Sequence, residues 1–149
     1  MDAKIYAAAI RVLAGREHSG YELKTKLEKK GYAASDIDDV VEQLIKDKYL
    51  DETRFAEVFV SSKIRRGLGP IRIQLELQQR RVDESLIDEY LDFNQTQWFE
   101  LASDVRCKRF GNDLPIDIKD QSKQIRFLQQ RGFTQQHIMS IIKNNNFED

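Results

Sequence analysis

The sequence contains a threefold internal similarity with a period of about 50 residues, and this repeat limits the possible folds more than any other feature. The similar segments are KLEKKGYAASDIDDVV (26–41), ELQQRRVDESLIDEYL (76–91) and FLQQRGFTQQHIMSII (127–142). The shared apolar positions are Leu27, Leu77 and Leu128; Tyr32, Val82 and Phe133; Ile37, Ile87 and Ile138; and Val41, Leu91 and Ile142. Amphipathic helices of equal length would give part of this match, but fixed spacing in three segments favours a triplication.

Helix signals surround these segments. The spacing of the apolar residues predicts a first helix over 3–14. Ser19 and Glu22 form an S-x-x-E capping box that begins a second helix over about 20–30. Ser35 is the expected N-cap of a third helix, with carboxylates in its first turn. The segments 5–19, 55–69 and 96–110 supply the corresponding first helices of the three repeats.

Each repeat therefore contains three helices, and the fold class is all-α. The expected boundaries are 1–48, 49–94 and 95–149. Because a unit of this size buries too little apolar surface alone, the three tandem repeats are expected to stack into an elongated curved body.

Composition excludes several classes of protein. No apolar run approaches the roughly 20 residues that span a bilayer, and the N-terminus lacks a secretory signal, so a cytoplasmic protein is expected. The single cysteine, Cys107, cannot form an internal disulfide, and no metal-ligand spacing is present. No nucleophile has a base near it in a known motif, so neither an enzyme nor a cofactor is expected.

The charge alternates along the chain although the net charge is only −1. Residues 4–30, 54–81 and 105–149 are net basic, whereas residues 32–53 and 82–104 are net acidic. This pattern favours segregated surfaces that meet more than one partner, although helical proteins often carry uneven charge without any function.

The stretch RRGLGPIRI (65–73) presents two alternatives, a phosphate-binding loop or a corner between helices. It lacks the lysine and hydroxyl residue of a P-loop and no strand precedes it, so the corner is favoured. In that interpretation Gly67 closes a helix over 51–66, Gly69 is the next N-cap and Pro70 is the first helical residue.

The corner leaves its cations unexplained. Lys63, Arg65 and Arg66 lie at a helix C-terminus, where the dipole favours them, so they form either a binding patch or a solvated helix end. Arg72 falls in the first turn of the next helix, where the dipole disfavours a cation. Free N–H groups of that turn, with these cations nearby, predict an anion site for phosphate or a carboxylate.

The sequence resembles the RecX family of bacterial regulators of the RecA recombinase. The similarity runs through 16–32, 44–77 and 128–138, and it is most specific between Tyr49 and Ile73. The matching residues are Tyr49, Leu50, Asp51, Arg54, Phe55, Ala56, Gly67, Gly69, Pro70, Arg72 and Ile73. Glu52 departs from the family pattern, in which a second aspartate is usual, but it keeps the negative charge at a helix start.

The resemblance implies a non-enzymatic modulator built from tandem three-helix repeats. Members of the family bind in the groove of the RecA–DNA filament and limit its extension, ATP hydrolysis, strand exchange and coprotease activity in DNA repair and the SOS response. The implied partners are RecA and DNA, which is bound weakly and without sequence specificity, with single-stranded DNA as the first candidate and double-stranded DNA as the second. A monomer is expected.

The residues expected to contact RecA or DNA are Lys63, Arg65, Arg66 and Arg72, followed by Arg54 and Arg11. Tyr49, Leu50, Phe55 and Ala56 are expected to pack between the first two repeats, and Asp51 to cap the helix that carries Phe55. Two alternatives stay open, a direct DNA-binding helical-repeat protein and a generic interaction scaffold. The first is disfavoured because the third helices are acidic or, in the last repeat, carry only Lys143.

Overall fold

A computed structural model describes residues 1–142, so Lys143 and the residues after it lie outside the described chain. The described part is all-α and contains no strand. Its helices are α1 (Ala3–Gly15), α2 (Gly20–Lys29), α3 (Ala34–Lys46), α4 (Glu52–Arg65), α5 (Pro70–Gln79), α6 (Glu84–Tyr90), α7 (Thr96–Phe110), α8 (Ile118–Gln130) and α9 (Gln135–Ile142). The all-α class and the three successive groups of three helices are confirmed. None of these helices is both long enough and apolar enough to cross a bilayer.

The repeated apolar positions form the core. Of the twelve aligned residues, only Tyr32 stays partly exposed, while the other aligned side chains are buried. Their burial explains the spacing, because each helix presents one apolar face to its neighbours.

The chain divides into two compact units. The first unit contains Met1–Phe59 and Leu77–Tyr90, and the second contains Val60–Glu76 and the residues from Leu91 onward. Helices α4 and α5 each contribute residues to both units. The middle repeat is therefore shared between the two units, and the repeat boundaries at 48 and 94 stay a prediction.

The starts of α2 and α3 differ in their capping chemistry. Ser19 accepts from Glu22 N–H at 3.1 Å and Glu22 accepts from Ser19 N–H at 3.1 Å, which confirms the capping box. Ser35 is not a cap, so that prediction was wrong. Helix α3 begins at Ala34, with Ala33 in the N-cap position and no side-chain cap bond. Ser35 therefore lies inside the first turn, where its hydroxyl cannot cap.

The second helix of each repeat ends with a residue in the left-handed region at the same repeat position. Gly31 has φ +94° and Gly132 has φ +98°, whereas the middle repeat has Arg81 with φ +55° there. Glycine adopts this conformation without a steric cost, but arginine does not. The guanidinium of Arg81 lies over the ring of Tyr21, 4.6 Å from its centroid.

Candidate functional site

The segment RRGLGPIRI is a corner in which both glycines and the proline have the expected roles. Helix α4 ends at Arg65, and Gly67 follows with φ +79°. Gly67 N–H donates to Ile64 O at 2.9 Å and Leu68 N–H donates to Lys63 O at 3.1 Å. This pair of hydrogen bonds is the Schellman motif, which satisfies the last carbonyl groups of a helix.

The same glycines allow the corner to pack closely against the rest of the second unit. A β-carbon on Gly67 would lie 2.9 Å from Val105 Cγ2. A β-carbon on Gly69 would lie 2.5 Å from the backbone of Gly132. Both distances are far below van der Waals contact, so neither position accepts a side chain. At Gly67 the left-handed backbone also disfavours any residue other than glycine.

The predicted anion site in the first turn of α5 is wrong. Gly69 N–H donates to Arg131 O at 2.7 Å, and Ile71 N–H donates to Gly132 O at 2.9 Å. Pro70 has no N–H group. The peptide of Gly132 also lies directly against the backbone of Arg72. The donors that an anion would need are therefore satisfied or covered by the α8–α9 connection.

The predicted cations divide into two pairs with different surroundings. Lys63 Nζ lies 3.2 Å from Glu76 Oε1, and Arg72 Nε lies 3.7 Å from Glu76 Oε2. The side chains of Lys63 and Glu76 are only 15% and 18% exposed. Lys63 and Arg72 are therefore partly neutralised, and the ion pair of Lys63 with Glu76 joins α4 to α5.

Arg65 and Arg66, in contrast, line a groove of about 480 Å³ in the second unit. Three further cations line this groove, and its remaining wall combines apolar side chains with a single carboxylate. We call it the cationic groove. Its cations are Arg65, Arg66, Lys108, Arg109 and Arg131; its apolar side chains are Ile64, Leu101, Val105 and Phe127; and its carboxylate belongs to Asp104.

The cationic groove is organised around Phe127. The guanidinium carbons of Arg131 and Arg109 lie 5.1 Å and 5.8 Å from its ring centroid. Phe110 meets the same ring edge-on, with centroids 5.3 Å apart. Arg131 also donates to Arg66 O at 3.2 Å, so it caps the end of α4. Cation–π contacts of this kind hold arginines in fixed orientations while their charge stays available.

Lys108, Arg109 and Arg131 were missed by sequence reasoning. A signal existed, because Lys108 and Arg109 occupy the last turn of α7 just as Lys63 and Arg65 occupy the last turn of α4. Both helices come first in their repeats. A comparison of the basic residues in the last turns of these two helices predicts Lys108 and Arg109 as site residues, but not Arg131.

Residues 6–44, 51–91 and 95–142 match the first, second and third three-helix domains of RecX. The regulatory protein RecX of Halorhodospira halophila is 46% identical over 127 residues, covering 85% of this chain and 79% of the relative. The regulatory protein RecX of Vibrio campbellii is 41% identical, covering 85% of this chain and 82% of the relative.

The chain belongs to the RecX family.

Solved RecX structures have the same fold. The crystal structure of RecX from Lactobacillus salivarius superposes with a TM-score of 0.79 at 22% identity, covering 95% of this chain and 94% of that one. A second crystal structure of regulatory protein RecX gives a TM-score of 0.80 at 23% identity, covering 95% and 70%.

The residues that carried the RecX resemblance have mainly structural surroundings. Leu50 and Phe55 are buried, and Asp51 accepts from Arg54 N–H at 3.1 Å as an N-cap does. Tyr49 differs from the expectation of a packed residue, because it is 53% exposed and contacts Tyr6 only edge-on. It follows a left-handed residue at the surface, where its ring cannot enter the core.

Arg54 and Arg11 belong to the first unit, whereas the other predicted RecX site cations belong to the second. Arg54 Nε lies 2.6 Å from Glu17 Oε1, and its terminal nitrogens donate to the carbonyls of Lys48 and Tyr49 at 3.3 Å. These contacts hold the turn between α3 and α4. Arg11 is exposed on α1.

Proposed function

We propose that this chain is a non-enzymatic modulator of the RecA recombinase. It binds in the groove of the RecA–DNA filament and limits filament extension, ATP hydrolysis, strand exchange and coprotease activity in DNA repair and the SOS response. Membership of a family of regulatory proteins supports this proposal, because the three RecX domains together account for most of the chain. Experiment must decide whether the chain inhibits these RecA activities.

The cationic groove is the surface that we assign to filament binding, and it is the observation that carries the proposal. It groups Arg65, the last residue of α4, and Arg66, which follows it, with Lys108 and Arg109 from α7 and one carboxylate. Complementary charge steers association and fixes the register between partners. Lys63 and Arg72 do not line this groove, and each forms an ion pair with Glu76, so we assign filament binding to the lining cations instead.

The remaining features follow from the same proposal. The three repeats, 1–48, 49–94 and 95–149, act together as one cytoplasmic monomer. RecA is the main partner, and DNA is bound weakly and without sequence specificity. Such binding should show a steep dependence on salt, because it would arise from phosphate contacts.

The proposal is tested by co-sedimentation with RecA filaments assembled on single-stranded DNA. The wild-type chain should sediment with the filaments. The double variant R65E/R66E should sediment at least tenfold less, because charge reversal in a complementary interface costs more than about 1.4 kcal/mol. The control K123E/R126E changes charge equally on α8, at exposed positions that do not line the groove. Equal sedimentation of both variants would contradict the assignment.

A direct, sequence-reading DNA-binding protein is not favoured. The third helix of a helix-turn-helix unit must approach phosphates, yet α3 carries exposed Asp36, Asp38 and Asp39. Helix α6 is acidic as well, with Glu84, Asp88 and Glu89. Fluorescence anisotropy against one duplex and its scrambled form should give equal affinities. A large preference for either duplex would favour the direct DNA-binding function instead.

A further inference from the structure

We infer that the cationic groove holds an acidic peptide segment of the protein partner, with an apolar side chain of that segment on the groove floor. This inference rests on the proposed function, because it states which component of the RecA–DNA filament the groove contacts. It assigns the groove to protein rather than to DNA.

The charges of the groove are available for a partner. Within residues 1–142, none of its cations forms an ion pair with a carboxylate. Other cations of the described chain are paired, including Arg54 with Glu17 and Arg80 with Glu22. Five cations held close together beside the single carboxylate of Asp104 repel one another and destabilise the folded chain, so an anionic ligand gains affinity by relieving that repulsion.

The groove is also partly apolar, which limits the ligand further. Leu101, Val105 and Phe127 line the groove together with its cations. A volume of about 480 Å³ is within the range of ligand sites, and it accommodates a few side chains. A ligand that fills it should combine carboxylates at its edges with at least one aliphatic or aromatic side chain at its centre.

The surroundings of Phe127 disfavour a DNA strand. Binding of single-stranded DNA commonly uses an open aromatic face on which a base stacks. Here Arg131 and Arg109 both lie over the ring, and Phe110 contacts it edge-on. Stacking a base would require displacing an arginine from a favourable cation–π contact.

Asp104 gives a second reason to prefer a peptide. Its exposed carboxylate lies in the groove wall, where it repels phosphates and carboxylates alike and favours a ligand that also carries hydrogen-bond donors. The DNA backbone offers only hydrogen-bond acceptors to this group. A peptide backbone offers N–H donors, so Asp104 can accept a hydrogen bond from a peptide while the cations bind its carboxylates.

The probe for this inference is a fluorescein-labelled peptide of nine residues in which glutamate and leucine alternate. Anisotropy should show binding to the wild-type chain. Replacing leucine by serine in the peptide should weaken binding at least fivefold, and replacing glutamate by lysine should abolish it. Unlabelled oligothymidine should not displace the peptide at equal concentration.

Variants on two walls locate the site. K108E/R109E on α7 and R65E/R66E on α4 should each weaken peptide binding at least tenfold, while K123E/R126E should stay within twofold of wild type. Circular dichroism of each variant confirms that it is folded. The two double variants change different parts of the groove, so the test still works if one of them does not fold.

Several results would overturn the inference. They are absence of peptide binding by the wild-type chain, equal binding by the groove variants and the control, and displacement of the peptide by oligothymidine. The proposed function fails differently, through absence of any effect on RecA filaments. A chain that inhibits RecA but does not bind the peptide contradicts only the present inference.

Discussion

The backbone of Gly69 lies against the backbone of Gly132, so that a β-carbon on Gly69 would stand 2.5 Å from the Gly132 carbonyl. These residues are far apart in sequence but join the corner between α4 and α5 to the corner between α8 and α9. Two hydrogen bonds, Gly69 N–H to Arg131 O and Ile71 N–H to Gly132 O, accompany this contact. The cationic groove depends on it, because Arg66 and Arg131 lie beside the joined corners.

Gly69→Ala should destabilise the protein by about 3 kcal/mol, because the neighbouring atoms are backbone and cannot move aside cheaply. Urea unfolding followed by circular dichroism measures this change. The matched control is Gly15→Ala at the end of α1, where an added β-carbon meets no atom within 4 Å. The control should be neutral or slightly stabilising. Equal stability of the two variants would contradict the close contact.

Arg81→Gly should be more stable than Arg81→Ala by about 1 kcal/mol. Both changes remove the stacking of Arg81 on Tyr21, but only glycine also removes the cost of the left-handed backbone. The reciprocal change Gly31→Ala isolates the backbone cost in the first repeat, where no atom lies within 4 Å of the added carbon. An alanine variant at position 81 that matches or exceeds the glycine variant in urea unfolding would refute this prediction.

Lys63→Ala should lower the free energy of unfolding by about 1 to 3 kcal/mol, because it removes the closest partner of the largely buried Glu76 carboxylate. Arg65→Ala should cost less than about 0.5 kcal/mol, since its exposed side chain makes only a hydrogen bond to Ser61. Thermal unfolding of the two variants side by side tests this difference. Equal losses of unfolding free energy in the two variants would contradict the difference between the surroundings of Lys63 and Arg65.

The protein should lose stability as the pH falls from 7.5 to 6 because of His18. Its Nδ1 lies 2.8 Å from Arg16 O, and its Nε2 lies 2.7 Å from Lys26 Nζ, which requires a neutral ring that donates to the carbonyl and accepts from the ammonium. Burial lowers the pKa of His18, and the charges of Arg16 and Lys26 lower it further.

The sign follows from proton binding. Because the folded pKa of His18 lies below the unfolded value of 6.5, the unfolded chain binds more protons in this range, so acid favours unfolding. One such group contributes a slope of at most about 1.4 kcal/mol per pH unit. Denaturation midpoints of wild type and His18→Gln across this range provide the measurement. The variant should show a shallower slope, and parallel slopes would exclude the role of His18.

The local features of the fold could be predicted from the sequence because their determinants lie within a few residues. The capping box of Ser19 and Glu22 and the left-handed Gly67 depend on bonds spanning three to five positions. Ser35 shows the limit of such reasoning. Its residue type suits a cap, but the helix begins two residues earlier than that cap would require.

The candidate site could be predicted only in part. Arg65 and Arg66 were found because they cluster in sequence, whereas Arg131 joins them through packing of distant segments. The ion pair of Lys63 with Glu76 also depends on how α5 folds back against α4, whereas Arg72 and Glu76 are an i,i+4 pair within α5. Pairings of this kind follow from tertiary structure, which charge patterns along the chain do not specify.

The most direct test of the account is the rate of DNA-dependent ATP hydrolysis by preassembled RecA filaments. Under the proposed function, substoichiometric wild-type protein should slow the rate. R65E/R66E and K108E/R109E should each require at least tenfold more protein for the same effect, whereas K123E/R126E should act like wild type. An unchanged rate with wild-type protein, or equal inhibition by all variants, would contradict the central claim.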